Sequence, residues 1–386
     1  MKKVLFIATV VKTHINTFHL PYIKMFKECG YKTVVAAKND YEDGKVNIPD
    51  CDLYIDIPFA RNPFSAGNIK AYKMLKSVID NGNFDIIECN TPIGSVIGRL
   101  AARDARKKGT KVIYIAHGFH FFRGSSKLAW LMFYPIERLL AHITDVLVTI
   151  NREDYESASK KFKAKQIVHI DGIGVDLERI ENSCPDKSKV RREFGIKESD
   201  TVLISVGELR KLKNHRTIIE AMAKIENKNL HYIIAGCGTF GGELSELSER
   251  HGIKDRVHLP GFRNDVFDLL KSSDIFCFPS TREGMPLALM EAMAAGLPAV
   301  ASNVRGNRDL IVPGKGGFLY PANNSDGFAE GIKTLIGDPA MRRKMGSYNK
   351  EQIKKYDIKI IKEKLFRIYF PYEKDSSKRG EKSAAL

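Results

Sequence analysis

Short β-branched runs alternate with amphipathic, helix-length segments along most of the chain. Such alternation is typical of βαβ units, in which the strands are parallel and helices form the crossovers. The predicted strands of a first series are 3–10, 33–37, 53–57, 85–89, 111–116, 145–149 and 166–170, with predicted helices at 19–29, 68–80 and 93–107. A second series of predicted strands follows at 201–206, 232–235, 257–259, 275–278 and 299–301. The predicted fold class is therefore α/β.

A stretch rich in Pro, Asp, Lys and Ser separates the two series near residues 182–200. We therefore predict two doubly wound, Rossmann-like domains over 1–183 and 184–357, a C-terminal helix over 358–372 and a mobile tail over 373–386. The length of 386 residues suits two or three domains of ordinary size. Open parallel sheets bind ligands beyond the carboxyl ends of their strands, so we expect the site in loops after strands, in a cleft between the domains.

Composition and charge narrow the class of protein. Hydrophobic residues make up 43% and charged residues 28% of the chain, which excludes a disordered or collagen-like protein. The longest apolar stretches are shorter than the roughly 18 residues of a membrane span, and we expect a cytoplasmic protein. Six scattered cysteines without a CxxC pair favour reduced thiols and argue against structural zinc. The net charge of +16 favours anionic partners, such as phosphorylated ligands, an acidic membrane or nucleic acid.

The most informative segment is 278–298, F-P-S-T-R-E-G-M-P-L-A-L-M-E-A-M-A-A-G-L-P, which predicts a strand end, a turn and a helix that Pro286 begins. Proline at the first helical position leaves neighbouring backbone N–H groups free, and free amides at a helix start attract phosphate. A diphosphate would fit there. Glu283 and Glu291 can accept hydrogen bonds from different hydroxyl-bearing parts of one ligand. Either glutamate alone could equally belong to an ordinary βα unit.

The Glu-x7-Glu spacing in this segment resembles the signature of the retaining, GT-B-fold glycosyltransferases of family 4. Further segments are similar to motifs of that family: H-G at 117–118, V-G-E-L-R-K-L-K-N at 206–214, A-G-C-G at 235–238 and G-F-R at 261–263. The resemblance covers residues 1 to about 370. H-G-F-H-F-F, Y-P-I-E and T-I-N-R-E-D, at 117–122, 134–137 and 149–154, make it closest to bacterial capsule and exopolysaccharide glycosyltransferases.

The resemblance implies roles for single residues. Glu291 is expected to accept hydrogen bonds from the ribose hydroxyls, and Glu283 from a hydroxyl of the transferred sugar. Lys213 and Arg210 are the candidate cations for the departing diphosphate, because such cations act most strongly in the transition state; a solvated basic turn is the alternative. The family has an arginine directly after the turn glycine, where this chain has Glu208, and Arg210 is the candidate replacement. The remaining donor-site residues are His117, expected near the anomeric carbon, and the nucleotide-binding Arg263, Gly236, Gly284, Met285 and Leu287.

The acceptor side is predicted from the loop 8–19, in which Thr13, His14 and Asn16 are available for phosphate or sugar contacts. Many relatives have glycines in this loop, and this chain has none. The segment 118–138 combines aromatic residues with Arg and Lys, which is typical of a lipid-touching helix and equally of a packed core helix. By resemblance, the acceptor is a saccharide on a polyprenyl diphosphate, and we expect peripheral contact with an anionic membrane at the inner face of the cell membrane.

Other motifs compete with this interpretation. G-C-G-T-F-G at 236–241 matches the dinucleotide fingerprint GxGxxG, but no acidic residue for a ribose follows at the required distance. Asp50 and Asp52 form a DxD that precedes its strand, and His117 with His120 has no carboxylate or cysteine nearby in sequence to complete a metal site. We therefore expect no metal and no cofactor, with a UDP-sugar as co-substrate.

The predicted function is a retaining glycosyltransferase that moves a hexose or N-acetylhexosamine from a UDP-sugar to a lipid-linked saccharide in surface polysaccharide biosynthesis. A GT-B-type sugar-nucleotide epimerase is an alternative enzyme. A basic nucleic-acid-binding protein is the non-enzymatic alternative. The positive charge is spread along the chain without a nucleic-acid-binding motif, so we do not expect nucleic acid as a partner.

Overall fold

The computed structural model describes residues 1–371, which form two compact units. The first contains residues 1–173 and 361–371, and the second contains residues 174–360. This division at 173/174 differs from the predicted one at 183/184, because the chain pairs within the second unit from Val175 onward. The backbone N–H of Val175 donates to the carbonyl of Tyr356 at 3.0 Å, and that of Ile358 donates to the carbonyl of Val175 at 2.9 Å.

The first unit contains seven strands, seven α-helices and one π-helical turn, Val11–Ile15, before residue 173. The strands are β1 Lys3–Val10, β2 Lys32–Lys38, β3 Leu53–Asp56, β4 Ile86–Cys89, β5 Lys111–Ala116, β6 Val146–Thr149 and β7 Gln166–His169. The helices are α1 Asn16–Phe18, α2 Leu20–Glu28, α3 Gly67–Gly82, α4 Pro92–Ala101, α5 Arg103–Lys107, α6 Lys127–Ala141 and α7 Arg152–Lys161. The sheet is parallel, in the order β3-β2-β1-β4-β5-β6-β7.

The second unit repeats this plan with six strands. They are β8 Thr201–Val206, β9 Leu230–Ala235, β10 Val257–Gly261, β11 Ile275–Phe278, β12 Ala299–Ser302 and β13 Gly317–Tyr320. The helices are α8 Leu177–Asn182, α9 Lys187–Glu193, α10 Arg216–Ala223, α11 Gly241–Arg250, α12 Val266–Lys271, α13 Leu287–Ala294, α14 Asn307–Leu310, α15 Ser325–Gly337 and α16 Pro339–Gln352. The sheet is parallel, in the order β10-β9-β8-β11-β12-β13. Two doubly wound α/β units confirm the predicted fold class.

The strand order of each sheet reverses beside the first strand of its unit. β1 lies between β2 and β4, and β8 lies between β9 and β11. Doubly wound sheets bind ligands at such a switch point, beyond the carboxyl ends of the strands. The loops after β1 and β4, and those after β8 and β11, are therefore where functional side chains are expected.

Apolar side chains cover both faces of the second sheet. Ile275 and Cys277 of β11 pack in one hydrophobic cluster, whereas Phe276 and Phe278 pack in the other. Successive side chains of a strand point to opposite faces, so helices shield the sheet on both sides, as a parallel sheet requires. This packing fixes the position of the strand ends from which the loops of the site begin.

The last helix, α17 Ile358–Tyr369, belongs to the first unit from Ile361 onward. Lys111 Nζ donates to the carbonyl of Ile368 at 2.6 Å, and the Tyr369 hydroxyl donates to the carboxylate of Glu88. The helix was predicted over 358–372, and in the structure it ends at Tyr369. The predicted tail over 373–386 lies outside the described residues.

Two elements differ from the prediction in more than their bounds. The helix predicted over 93–107 is interrupted at Ala102, which separates α4 from α5. β13 was not predicted, because it begins with a glycine, a residue that is depleted in strands. That glycine, Gly317, pairs with Ala299 of β12, whose carbonyl oxygen would lie 1.9 Å from a Cβ at this position. None of the helices in the described part of the chain has the length and apolar character that a membrane span requires.

Candidate active site

The turns that follow β8 and β11 meet at the switch point of the second sheet. The backbone N–H of Thr281, after β11, donates to the carbonyl of Leu212, after β8, at 2.9 Å. Asn214 ends the 3₁₀ turn Lys211–Lys213 with a left-handed φ of 55°, a conformation that asparagine tolerates better than most residues. These contacts place the last lysine of the turn against the segment that leads into α13.

Lys213 and Glu283 form the central ion pair of this site. Lys213 Nζ lies 2.8 Å from Glu283 Oε1 and 5.1 Å from the centre of the Phe278 ring. The two side chains are only 27% and 12% exposed, so water screens the pair weakly. The resemblance assigned these residues to the diphosphate and the sugar, and the structure brings them into direct contact.

The start of α13 offers backbone donors beside this pair. The helix begins at Leu287, and Pro286 precedes it with φ −79° and ψ 115°. The prediction that Pro286 is the first helical residue is wrong by one position, because its extended ψ makes it the N-cap. Among the described residues, none accepts a hydrogen bond from the backbone N–H groups of Leu287 and Ala288. The predicted Gly284 and Met285 lie in the turn just before, so the free amides remain in the place predicted for a diphosphate.

Glu291 lies on α13, one to two turns after its start. Burial raises the pKa of this carboxyl to about 7, and the positive charge of Arg179 partly opposes the increase. Near neutral pH the carboxyl is therefore close to its titration midpoint. A ligand that donates two hydroxyl hydrogen bonds would stabilise its ionised form.

Arg210 is placed differently from the expectation. Its Nη1 lies 3.1 Å from Glu208 Oε2, and both side chains are more than half exposed. The structure thus pairs Arg210 with the very glutamate that stands where the family has an arginine. An exposed ion pair of this kind interacts weakly. The carboxylate of Glu208 partly neutralises the positive charge of Arg210.

The predicted nucleotide-binding residues Arg263 and Gly236 have structural partners. Arg263 forms ion pairs with Glu193 and, at 2.7 Å, with Asp265, and these carboxylates raise the pKa of its guanidinium. Gly236 lies so close to Gly207 that an added Cβ would be 1.9 Å from the Gly207 carbonyl oxygen. The glycine-rich turn after β9 therefore packs on the turn after β8. This close packing requires glycine at position 236, so the G-C-G-T-F-G match does not need a bound dinucleotide as its explanation.

In the first unit, His117 follows β5, as predicted, and lies half-buried beside the buried His14 and His19. The ring centres of His14 and His117 are 4.6 Å apart, and those of His19 and His117 are 5.5 Å apart. Burial lowers the pKa of His117 to about 3, with a smaller contribution from His19. Burial also lowers the pKa of His14 well below its ordinary value, with smaller contributions from His117 and His19. Both imidazoles are therefore neutral at pH 7.

The other two residues predicted to contact the acceptor, Thr13 and Asn16, form hydrogen bonds with side chains of the loop after β2. The Thr13 hydroxyl donates to Asp40 Oδ2 at 2.9 Å, and the Asn16 amide donates to the Tyr41 hydroxyl at 2.6 Å. Of the three predicted residues, the structure thus brings only His14 beside His117. Asn16 keeps one unused group, because its buried Oδ1 has no hydrogen-bond donor among the described residues.

Two family profiles together match most of the chain. The family described as "Glycosyl transferases group 1" matches residues 186–352, and "Glycosyl transferase 4-like" matches residues 3–150. The protein named "Putative glycosyltransferase EpsD" of Bacillus subtilis (strain 168) is 38% identical over 377 residues, 96% of this chain and 97% of EpsD. The chain belongs to the group 1, GT4-like glycosyltransferases. It is an enzyme that transfers a sugar, as the sequence predicted.

Two further comparisons agree with this family. The chain is 31% identical, over 71% of its length and 70% of the relative's, to the UDP-Gal:alpha-D-GlcNAc-diphosphoundecaprenol alpha-1,3-galactosyltransferase of Escherichia coli. The crystal structure of Anabaena HepE in complex with UDP and glucose has a TM-score of 0.81, 21% identity and coverage of 96% of this chain and 100% of HepE. The similarity to HepE confirms the predicted GT-B fold.

The sequence analysis missed two arginines that lie beside the candidate site. Arg305, which is 4% exposed, donates from Nε to the backbone carbonyl of Glu283 at 2.9 Å. Arg282 precedes Glu283, and burial, followed by the charge of Arg305, lowers the pKa of its guanidinium. Arg282 could have been noticed as a cation next to the first glutamate. Arg305 follows β12 and reaches the site only because β12 lies beside β11.

The segment 118–138 combines both predicted characters. Phe121 packs on Trp130 and Tyr134, with ring centres 5.2 and 5.5 Å apart, so the aromatic residues contribute to the core. Leu128 and Leu131 on α6 are instead 63% and 74% exposed. Packing therefore accounts for the aromatic residues, and it leaves the leucines unexplained.

The competing metal motifs are used for other contacts. Asp52 of the DxD forms an ion pair with Lys27 and accepts a hydrogen bond from the backbone N–H of Thr33 at 2.8 Å. The ring of His120 lies on Phe133, with centres 4.7 Å apart. The histidines that join His117 in the structure are His14 and His19, which lie about 100 residues away in sequence.

Proposed function

We propose that this glycosyltransferase moves a hexose or N-acetylhexosamine from a UDP-sugar to a saccharide linked to a polyprenyl diphosphate, with retention of the anomeric configuration, in surface polysaccharide biosynthesis. The observation that carries the proposal is the shielded Lys213–Glu283 pair beside the free amides of α13. The E. coli relative is named for a UDP-Gal donor and a diphosphoundecaprenol acceptor, which supports both substrate classes.

In the proposed donor complex, the diphosphate lies at the start of α13, beside Lys213. Negative charge grows on the diphosphate as the glycosidic bond breaks, so this ammonium and the amides of Leu287 and Ala288 stabilise the transition state more than the ground state. Glu291 accepts the ribose hydroxyls, and Glu283 accepts a sugar hydroxyl. These groups supply the charge and the hydrogen bonds that hold the donor, so the proposal includes no metal for donor binding.

Retention is proposed to occur by attack on the same face from which the diphosphate departs. The acceptor hydroxyl then forms its bond to the anomeric carbon while the carbon–oxygen bond to UDP breaks, and the departing diphosphate takes the acceptor proton. This step requires no covalent nucleophile from the protein. His117 is proposed to contact the transferred sugar.

Peripheral contact with an anionic membrane is proposed to occur through α6. Its exposed residues Leu128, Leu131 and Leu139 are 63 to 74% exposed, and the exposed Lys127 and Arg138 lie on the same helix. Apolar side chains next to basic ones suit the boundary between headgroups and acyl chains. The net charge of +16 agrees with an acidic surface.

The proposal is tested by incubating the enzyme with single UDP-hexoses and UDP-N-acetylhexosamines and a synthetic polyprenyl-diphosphate saccharide. One donor is expected to extend the lipid by one sugar, and NMR is expected to show the anomeric configuration of the donor. An inverted product would contradict retention. Conversion of a UDP-sugar to its epimer without an acceptor would replace the proposed reaction with epimerisation.

A further inference from the structure

The first unit contains a cluster of three histidines, of which only His117 has a role in the proposed donor complex. His14 comes from the π-helical turn Val11–Ile15 after β1, His19 precedes α2, and His117 follows β5. One ring nitrogen from each lies within 4.8 Å of the other two. Imidazole nitrogens that converge from separate elements are a common ligand set for zinc and related cations.

The spacing of the nitrogens fits tetrahedral coordination. His14 Nε2 and His19 Nε2 are 3.3 Å apart. Two nitrogens at about 2.05 Å from one zinc ion in a tetrahedral site are about 3.3 Å from each other. The ring planes are inclined to one another by 41°, 70° and 68°, and the ring centres of His14 and His19 are 5.1 Å apart.

A buried carboxylate supports the cluster from behind. Glu88 is fully buried, and its Oε1 lies 3.3 Å from His19 Nδ1, the ring nitrogen that does not face His14. This is an ion-pair distance without hydrogen-bond geometry, and His19 Nδ1 has no hydrogen-bond partner among the described residues. The Asn90 amide donates to the same carboxylate at 2.9 Å, and Asn90 Oδ1 lies 3.4 Å from His117 Nε2. The Tyr369 hydroxyl donates to the other oxygen of Glu88. Histidines that bind metals usually direct their second nitrogen to such a carboxylate, which fixes the tautomer.

We propose that His14, His19 and His117 form a binding site for a divalent transition metal of the zinc class, with Glu88 as the carboxylate that orients His19. A three-histidine site leaves a fourth position for water or a ligand oxygen. The cation also offsets the cost of burying the Glu88 carboxylate. The inference does not depend on how the second unit binds its donor.

The test uses the full chain without a polyhistidine tag, stripped of metal and titrated with Co²⁺, followed by Zn²⁺. We expect one Co²⁺ per chain, with the intense visible absorption of four-coordinate cobalt, and its displacement by one equivalent of Zn²⁺. His14→Ala and His19→Ala should each weaken zinc binding at least tenfold, whereas His142→Ala, an exposed histidine at the end of α6, should not. Glu88→Gln retains the three ligands and should weaken binding by about 10 to 100-fold.

Two results would overturn the proposal: only the weak spectrum of six-coordinate cobalt, or equal zinc affinity in His14→Ala and His142→Ala. The cluster would then be a network of hydrogen bonds without a metal. If a variant does not fold, the spectrum and stoichiometry of the unaltered chain decide. UDP binding by the same preparations reports separately on the second unit, so its failure and a failure of zinc binding are distinguishable.

Discussion

Lys213 is the single side chain on which the proposed donor chemistry depends most, because its ammonium contacts Glu283 in a shielded position. Lys213→Ala should reduce kcat/KM by about 10² to 10³-fold, mainly through kcat, since the lost charge acts on the departing diphosphate. Lys211→Ala, in the same 3₁₀ turn but exposed, is the matched control and should retain activity within about threefold. Equal losses in the two variants, measured by steady-state kinetics, would contradict the assignment.

The titration of Glu291 predicts that UDP binding depends on pH. Its pKa of about 7 leaves about one tenth of the free protein ionised at pH 6 and most of it ionised at pH 8. If the ionised carboxylate accepts the ribose hydroxyls, UDP should bind up to about tenfold more tightly at pH 8 than at pH 6. Calorimetry on Glu291→Gln controls for the titration of UDP itself and should lack this part of the pH dependence. An identical pH profile in both proteins would remove Glu291 from the nucleotide site.

At the scale of elements, the contact between the turns after β8 and β9 depends on glycine. Gly236→Ala would place a Cβ 1.9 Å from the Gly207 carbonyl oxygen, at a φ of 157°, so it should destabilise the protein by about 2 kcal/mol or more. Gly242→Ala is the matched control, since an added Cβ in α11 meets nothing within 4 Å, and it should be neutral or stabilising by up to about 1 kcal/mol. Urea unfolding measures both. A neutral Gly236→Ala would show that the turns do not pack this closely.

Helix α6 is the proposed point of contact with the membrane. Replacing Leu131 and Leu139 together by glutamate should greatly reduce co-sedimentation with vesicles of anionic phospholipid, because it removes apolar contact area and adds negative charge. The melting temperature should change little, since both side chains are exposed. Val312→Glu, at an exposed position of the second unit, is the control. Unchanged sedimentation of the α6 variant would exclude this face as the membrane contact.

The chain as a whole shows which features can be predicted from sequence. β1, β5, β8 and β11 have their predicted bounds, because apolar β-branched runs are local signals. The donor motif is also local, since a single βα connection carries both glutamates. Arg305, the pairing of Val175 with residue 357 and the three-histidine cluster all depend on which strands are neighbours. That information lies in non-local packing, which periodicity does not contain.

The carboxyl ends of β8 and β11 are proposed to form a site for a uridine diphosphate. The first measurement is thermal unfolding with UDP, GDP, ADP or NAD, each with and without EDTA. UDP at 100 times its dissociation constant should stabilise the protein by about 2.7 kcal/mol. The increment should be the same with EDTA, even if EDTA shifts the baseline by removing a cation from the histidine cluster, and it should be much smaller in Glu291→Ala. Stabilisation by NAD instead of UDP, by no nucleotide, or equally in Glu291→Ala would contradict the claim.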